Sequence, residues 1–170
     1  MNSEALNSRP LIAYIALGSN LGDTARNVRR AMDRLEQYSA APLKRSSLLE
    51  TAPVDCPPGS PNFVNAVVAL EPLPGETPES LLDRMQALER EFGRVPKTVL
   101  NEPRPLDLDL IAFGSERRCT DRLILPHPRA YLRRFVLEPL AEIAPELLLP
   151  GHTQTVGQLF KLVVLRDCQT

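Results

Sequence analysis

Two aspartates separated by a single residue stand out in the segment EPRPLDLDLIAFG, residues 102–114. The apolar residues around Asp107 and Asp109 predict a β-strand, although aspartate is disfavoured in strands. Alternation along a strand would place both carboxylates on one face, with their Cβ atoms about 7 Å apart. Carboxylates at that spacing can converge on divalent cations, and Mg2+ is typically bound by a few carboxylates, waters and phosphates. The short motif leaves a second interpretation open, a strand with an ordinary polar outer face.

An arginine immediately precedes this strand. Arg104 lies between Pro103 and Pro105, and proline restricts the backbone of its neighbours. The arginine is therefore expected to be held rigidly beside the two carboxylates. It could form a plain ion pair, or it could bind an anion next to a metal ion.

A helix predicted over residues 77–93 carries two further polar candidates. Gln86 and Glu89 are three residues apart, so they would be neighbours on one helical face. The spacing alone favours a solvated flank over a binding role. Arg94 follows Gly93, which is expected to end the helix, and a cation near a helix C-terminus has a sufficient structural explanation.

An aromatic and an amide share one face of another predicted strand, NFVNAVVAL at residues 62–70. Alternation places Phe63, Asn65 and Val67 together. A ring for stacking and an amide for paired hydrogen bonds suit a flat heterocyclic ligand. Alternatively, Phe63 belongs to the core and Asn65 caps a neighbouring loop.

The segment LPHPRAYLRRF, residues 125–135, is rich in basic side chains. His127 lies between two prolines, which predicts an accessible loop position. Metal binding is not expected without a second histidine nearby, whereas a phosphate contact is plausible and a surface histidine without a role is the alternative. Arg129 and Arg133 are four residues apart and are predicted to lie on one helical face.

The segment GSNLGD, residues 18–23, follows the first predicted strand. It has neither the spacing of a P-loop nor that of a dinucleotide-binding loop. We interpret it as a turn and helix cap rather than as a phosphate-binding loop.

Periodicity and turn residues give the order β α β β α β β α α. Strands are predicted over residues 11–17, 43–50, 62–70 and 106–113, with a possible hairpin return through 118–125. Helices are predicted over residues 24–38, 77–93, 129–142 and 155–165. This order predicts an α+β fold, a ferredoxin-like split βαβ sandwich with an antiparallel or mixed sheet and additional C-terminal helices.

The composition is that of an ordinary globular protein, with 43% hydrophobic and 24% charged residues. A length of 170 residues predicts one domain, with its core at about 11–165. The net charge of −1 gives no global indication of nucleic-acid or membrane binding. The charge is uneven, however, because residues 90–134 contain ten Lys/Arg and six Asp/Glu.

The three cysteines are widely spaced, and no pair has zinc or redox spacing. This favours a reducing, cytoplasmic location. No apolar run approaches the length of a transmembrane helix.

Several of these segments, taken in order, resemble one enzyme family. The matching segments are AYIALGSNLGD, ETAP, NFVNAVVAL, ALEREFGR, PRPLDLDL and LPHPRAYLRRFVLEPLAEIAPE, which together span about residues 11–160. They resemble the 6-hydroxymethyl-7,8-dihydropterin pyrophosphokinases of folate biosynthesis, which have a ferredoxin-like fold. The resemblance implies transfer of pyrophosphate from the co-substrate ATP to the hydroxymethyl group, with release of AMP and two Mg2+ ions as cofactors. It also implies small-molecule partners only, with no nucleic acid or membrane, and we expect a monomer.

The resemblance also implies roles for individual residues. Those implied to hold the magnesium ions are Asp107 and Asp109. Those implied to surround the triphosphate are Arg94, Arg104, His127 and Arg133. Those implied to lie near the nucleotide are Gln86, Glu89, Leu110 and Arg122. Those implied to form the pterin pocket are Thr51, Val54, Phe63, Asn65 and Phe135. Of these, Arg94, Arg104, Asp107 and Asp109 are the expected catalytic residues.

Two proline-rich loops, residues 52–61 and 95–105, are predicted to flank the site as lids that exclude water. Lys97 is the only basic residue between Arg94 and Arg104. Two other functions fit parts of the pattern, a D-x-D glycosyltransferase and a non-enzymatic binding module. The pair Phe63 and Asn65 favours a pterin over a sugar.

Overall fold

A computed structural model describes residues 9–170. Its main sheet is entirely antiparallel, and its strand order is β2-β4-β1-β5, with β3 also paired to β4. The strands are β1 (Ala13–Ser19), β2 (Lys44–Arg45), β3 (Leu49–Thr51), β4 (Phe63–Leu70) and β5 (Asp107–Phe113). A separate two-stranded ribbon consists of β6 (Arg118–Cys119) and β7 (Ile124–Leu125).

Helices cover both faces of the sheet. They are α1 (Thr24–Leu35), α2 (Pro78–Glu91), α3 (Arg134–Ile143) and α4 (Val156–Asp167). One buried core joins α1 and α2 to one face, and a second joins α3 and α4 to the other. The prediction of an α+β sandwich with added C-terminal helices is confirmed. Within residues 9–170, no helix has the length and apolar character needed to cross a membrane.

Local signals explain where α2 begins and ends. The Thr77 hydroxyl accepts a hydrogen bond from the Ser80 backbone N–H, and Pro78 occupies the first turn. Gly93 follows the helix with φ of +94°, a conformation that favours glycine. Leu81, Met85 and Leu88 are fully buried, each contributing about 1.5–3 kcal/mol of hydrophobic stabilisation.

The predicted strand over residues 43–50 is wrong as a single element, because it is divided into β2 and β3. At the division, the Ser46 hydroxyl accepts a hydrogen bond from the Val67 backbone N–H. The Ser47 backbone N–H donates to the Glu142 carboxylate on α3. The Ser46 hydroxyl thus competes with backbone carbonyls for the N–H groups of the neighbouring strand, as short polar side chains commonly do.

Residues 118–125 also differ from the prediction, since β6 and β7 pair with each other rather than extending the main sheet. A tight turn from Thr120 to Leu123 closes this ribbon. Leu125 of the ribbon packs in the same core as Phe113 of β5. Beyond the ribbon, the His127 backbone N–H donates to the Ile111 carbonyl of β5.

Helix boundaries differ at two places. The predicted helix over residues 24–38 ends as α-helix at Leu35 and continues as a 3-10 turn. In place of a helix over 129–142, a 3-10 turn at Ala130–Leu132 precedes α3. The prediction that Arg129 and Arg133 share one helical face is therefore wrong, because each precedes a separate helical segment.

Strand register fixes the side-chain directions that matter for function. Leu106, Leu108 and Leu110 point into the core beneath α1 and α2, so Asp107 and Asp109 point to the opposite face. A register shift in β5 near the end of this segment leaves that alternation intact through Asp109.

Candidate active site

The central strand β1 joins the two chemically unusual strands. Gly18 lies opposite Asp107 on one side and opposite Asn65 on the other. A Cβ atom at Gly18 would lie 3.2 Å from Asn65 Oδ1 and 3.5 Å from Phe63 Cδ1. The absence of a side chain thus leaves space between the carboxylates of β5 and the ring of β4. The sequence analysis missed Gly18, because only the strand register reveals its two neighbours.

An open cleft of about 760 Å3 lies on this face of the sheet. Ten of the fifteen site residues predicted from the sequence line it. These ten are Thr51, Val54, Phe63, Asn65, Arg104, Asp107, Asp109, His127, Arg133 and Phe135. Arg129 also lines the cleft, although its predicted helical position was wrong. Residues from β1, β3, β4, β5 and the loop before α3 therefore converge on one space.

The other five predicted residues do not line the cleft. Glu89 and Arg94 lie behind Asp107, to which Arg94 is bonded. Leu110 is 4% exposed and its side chain belongs to the core on the other face of β5. Gln86 is exposed on α2, and Arg122 forms an ion pair with Asp83 of the same helix.

Arg94 connects two carboxylates behind the cleft. Its Nη1 donates to Glu89 Oε1 at 2.7 Å and to Asp107 Oδ1 at 2.6 Å. Glu89 Oε1 also accepts the Leu108 backbone N–H at 2.7 Å. This network fixes the start of β5 to the end of α2, and its side chains are largely shielded from solvent.

Arg104 holds the other oxygen of Asp107. Its Nη2 lies 3.3 Å from Asp107 Oδ2, and its Nη1 donates to the Glu102 carbonyl at 3.1 Å. The guanidinium also lies over the Phe63 ring, 5.3 Å from its centroid. A cation at that position is attracted by the ring face. Arg104 therefore links the carboxylate strand to the aromatic strand.

The two aspartates have opposite electrostatic environments. Burial raises the pKa of Asp107, but the charges of Arg104 and Arg94 outweigh this effect and lower the pKa below its usual value. Burial, followed by repulsion from Asp107, raises the pKa of Asp109 to about 7. The described residues offer no hydrogen bond or ion pair to the Asp109 carboxylate. Asp109 is therefore available to a positively charged ligand.

The donor set is incomplete for a metal ion on its own. Residues 9–170 contain no cluster of three or more His, Cys, Asp or Glu side chains that could hold one. Asp107 and Asp109 offer oxygen donors on one strand face. Mg2+ is commonly bound by one or two carboxylates together with water and substrate phosphates. The pair fits that kind of cation, with phosphate supplying the remaining ligands.

The opposite wall of the cleft has aromatic and amide groups. Asn65 is 5% exposed, and its Nδ2 donates to Thr51 Oγ1 at 2.6 Å. Phe135 lies near Arg133, whose guanidinium is 5.5 Å from the ring centroid. Two rings, an amide and a hydroxyl are thus available to a flat, polar-edged molecule.

His127 is electrically neutral near pH 7. Burial, together with the charges of Arg133 and Arg129, lowers the pKa of His127 to about 4. Its Nδ1 accepts the Arg129 backbone N–H at 3.2 Å. The neutral ring then carries its proton on Nε2, which can donate to an anion.

The two proline-rich loops meet above the cleft. Asn101 Nδ2 donates to the Asp55 carbonyl at 2.8 Å. Both residues have positive φ, 54° for Asn101 and 52° for Asp55, which is uncommon for residues other than glycine. Lys97 and Leu100 also line the cleft, and Leu100 is 76% exposed.

Comparison with solved structures supports the fold. A crystal structure of an HPPK-DHPS in complex with substrates has a TM-score of 0.75 and 12% identity, covering 96% of this chain and 45% of the other. Plasmodium falciparum HPPK-DHPS with pteroate has a TM-score of 0.74 and 14% identity, covering 98% and 47%. The chain thus spans about half the length of these proteins, and the likeness concerns fold alone.

Sequence relatives are considerably more similar. A 2-amino-4-hydroxy-6-hydroxymethyldihydropteridine pyrophosphokinase of Bacillus subtilis is 44% identical, covering 80% of each chain. That of Pseudomonas aeruginosa is 41% identical, covering 81% of this chain and 83% of the relative. The folic acid synthesis protein fol1 of Pneumocystis carinii is 36% identical over 91% of this chain, which spans 20% of that longer protein.

A family model gives the same assignment. The model of 7,8-dihydro-6-hydroxymethylpterin-pyrophosphokinase matches residues 14–145. That range includes β4, β5, all of β1 except Ala13, and every residue lining the cleft. The chain therefore belongs to the 7,8-dihydro-6-hydroxymethylpterin-pyrophosphokinase family.

Proposed function

We propose that this chain transfers the β,γ-pyrophosphate of ATP to the hydroxymethyl group of 6-hydroxymethyl-7,8-dihydropterin and releases AMP, a step of folate biosynthesis. Family membership supports the reaction. The single structural observation that carries the proposal is the position of Gly18 between the Asp107 strand and the Asn65 strand. A phosphate-binding region and a heterocycle-binding region then share one cleft.

The triphosphate region is built from positive and neutral donors. Arg104 and Arg133 supply guanidinium groups, which suit bidentate contact with phosphate oxygens. Neutral His127 supplies an Nε2 proton without adding charge. Asp107 and Asp109 would hold Mg2+, for which we propose two ions. When bound, Mg2+ neutralises charge on the phosphate oxygens.

The pterin region is built from rings and amide-type donors. Phe63 and Phe135 would stack on the ring faces, while Asn65 and Thr51 would pair with its polar edge. Val54 lies on the loop beside them and would cover the ring from above. This arrangement supports a flat nitrogen heterocycle over a sugar, which disfavours the glycosyltransferase alternative.

The chemistry needs positioning more than covalent participation by the protein. The hydroxymethyl oxygen attacks the β-phosphorus and releases its proton, the bond from the β-phosphorus to the α–β bridging oxygen breaks, and AMP leaves. Charge spreads over the phosphoryl oxygens, and fixed cations stabilise it. Arg104 is already held by Asp107 and the Phe63 ring. Arg94 supports the site indirectly by holding Asp107.

The two loops are proposed to close over bound substrates and exclude water, which would otherwise compete for the phosphoryl group. The hydrogen bond from Asn101 to Asp55 supports this role, because it already joins the loops above the cleft. Gln86, Glu89, Leu110 and Arg122 are proposed to shape the nucleotide end from outside the cleft. A monomer acting in the cytoplasm on small molecules completes the proposal.

The test is incubation with ATP, Mg2+ and hydroxymethyl-dihydropterin, followed by separation of the nucleotides. AMP that forms only with the pterin supports the proposal, whereas ADP alone, or no product, contradicts it. Asp107→Ala and Asp109→Ala should each abolish turnover while the fold survives. Asp121→Ala, at an exposed position outside the cleft, is the matched control and should retain activity.

A further inference from the structure

The turn after β1 is bonded to Arg104 through both backbone groups of that arginine. The Arg104 backbone N–H donates to Asn20 Oδ1 at 2.9 Å. In return, the Asn20 backbone N–H donates to the Arg104 carbonyl at 3.2 Å. The segment GSNLGD, which appeared from the sequence to be only a turn and cap, therefore contacts the residue between the two prolines.

Asn20 is unusually dedicated to this contact. The residue is 1% exposed, and the bond to Arg104 is its side chain's only hydrogen bond among the described residues. The turn itself is fixed separately, because Asn27 Nδ2 donates to the Leu21 carbonyl at 3.1 Å. Asn20 therefore lies in a fixed turn, and from there it binds the backbone of Arg104, whose own side chain is long.

The backbone of Arg104 needs such a partner. Pro103 and Pro105 carry no backbone N–H, so they cannot bond the segment to its surroundings as donors. The guanidinium is set between the Phe63 ring and Asp107. A small rotation of the Arg104 backbone would be amplified along its long side chain.

We propose that Asn20 is a positioning residue for pyrophosphate transfer, which fixes the Arg104 backbone so that its guanidinium faces the triphosphate. This rests on the proposed function. Asn20 touches no substrate in this arrangement and acts through Arg104. A purely structural role, joining the loop before β5 to the turn after β1, is the competing explanation.

A double-mutant cycle separates the two explanations. Asn20→Ala should lower kcat/KM roughly 10- to 100-fold, as expected for a misplaced catalytic group. In an Arg104→Ala background, the same change should have almost no further effect on kcat/KM, because no guanidinium remains to be positioned. The loss of thermal stability should be the same in both backgrounds, since the backbone bond is lost in each.

Ser46→Ala is the matched control. It also removes a buried side-chain acceptor of a backbone N–H, that of Val67, but outside the cleft. It should lower stability and leave kcat/KM unchanged. Asn20→Ser, a milder change, replaces Asn20→Ala if the latter does not fold.

The same four proteins of the cycle are titrated with α,β-methylene-ATP and Mg2+, so positioning is also tested without turnover. If wild type turns over but Asn20→Ala lowers kcat/KM by the same factor in both backgrounds, the positioning role is wrong and the proposed function still stands. No loss from Asn20→Ala would overturn it as well. If wild type shows no turnover, the proposed function fails, and the titrations alone decide whether Asn20 acts through Arg104.

Discussion

Gly18 offers the sharpest separation between stability and pterin binding. In Gly18→Ala, the new Cβ would lie 3.2 Å from Asn65 Oδ1, where ordinary contact begins at 3.4 Å. The Asn65 amide must then shift by about 0.2 Å, and the methyl group also occupies space beside the Phe63 ring. Because alanine is favoured over glycine inside a strand by about 0.5–1 kcal/mol, the fold itself should lose little stability.

Pterin binding should respond much more strongly than folding. Crowding of this size should weaken binding by about 1–2 kcal/mol, a factor of roughly 5 to 30. Calorimetric titrations with the pterin and with α,β-methylene-ATP, together with thermal unfolding, measure both effects. Affinity for the nucleotide analogue should change little.

Gly157→Ala is a suitable control for Gly18→Ala. Gly157 lies in α4, outside the cleft, and a Cβ at this position would be 3.1 Å from the Pro145 carbonyl oxygen. It should lower stability without changing pterin affinity. If Gly18→Ala weakens the binding of pterin and of nucleotide equally, or changes the binding of neither, then the assignment of this wall to the pterin is wrong.

Three further perturbations test other parts of the site. Arg94→Ala should destabilise the fold by about 3–5 kcal/mol, since it leaves two largely buried carboxylates without their shared cation; a loss under about 1 kcal/mol by urea unfolding would refute the network's importance. The raised pKa of Asp109, about 7, means that the folded metal-free protein binds more protons than the unfolded chain between about pH 4 and 7. Its contribution to stability should therefore fall as pH rises through this range, so in EDTA the unfolding free energy of wild type should fall relative to that of Asp109→Asn; a difference between the two proteins that is independent of pH would contradict the shift. Hydrogen exchange in residues 52–61 and 95–105 should slow when pterin and α,β-methylene-ATP bind together, and unchanged protection would argue against their closing as lids.

The sequence was informative about the fold because its signals were local and consistent. The cap at Thr77, the proline after it and the glycine beyond α2 all act within a few residues, and the structure confirms them. The order of motifs likewise predicted the family, which the family model confirms. Alternation along β5 correctly placed Asp107 and Asp109 on one face.

The features that the sequence did not reveal depend on contacts between distant segments. The division at Ser46 arises from its bond to Val67, 21 residues away, so residues 43–50 still resemble one strand. Arg94 had a sufficient local explanation at a helix end, yet its main partner is Asp107 on β5. Gly18 and Asn20 acquire their neighbours only from strand register and loop packing, which spacing along the chain does not specify.

The most direct measurement of the central claim is phosphorus NMR of a mixture of the protein, ATP, Mg2+ and hydroxymethyl-dihydropterin. Both the β and γ phosphorus signals of ATP should move together into a new ester of the pterin, with AMP appearing in equal amount. ADP with a single transferred phosphate, or free pyrophosphate without a pterin ester, would contradict pyrophosphate transfer by this cleft.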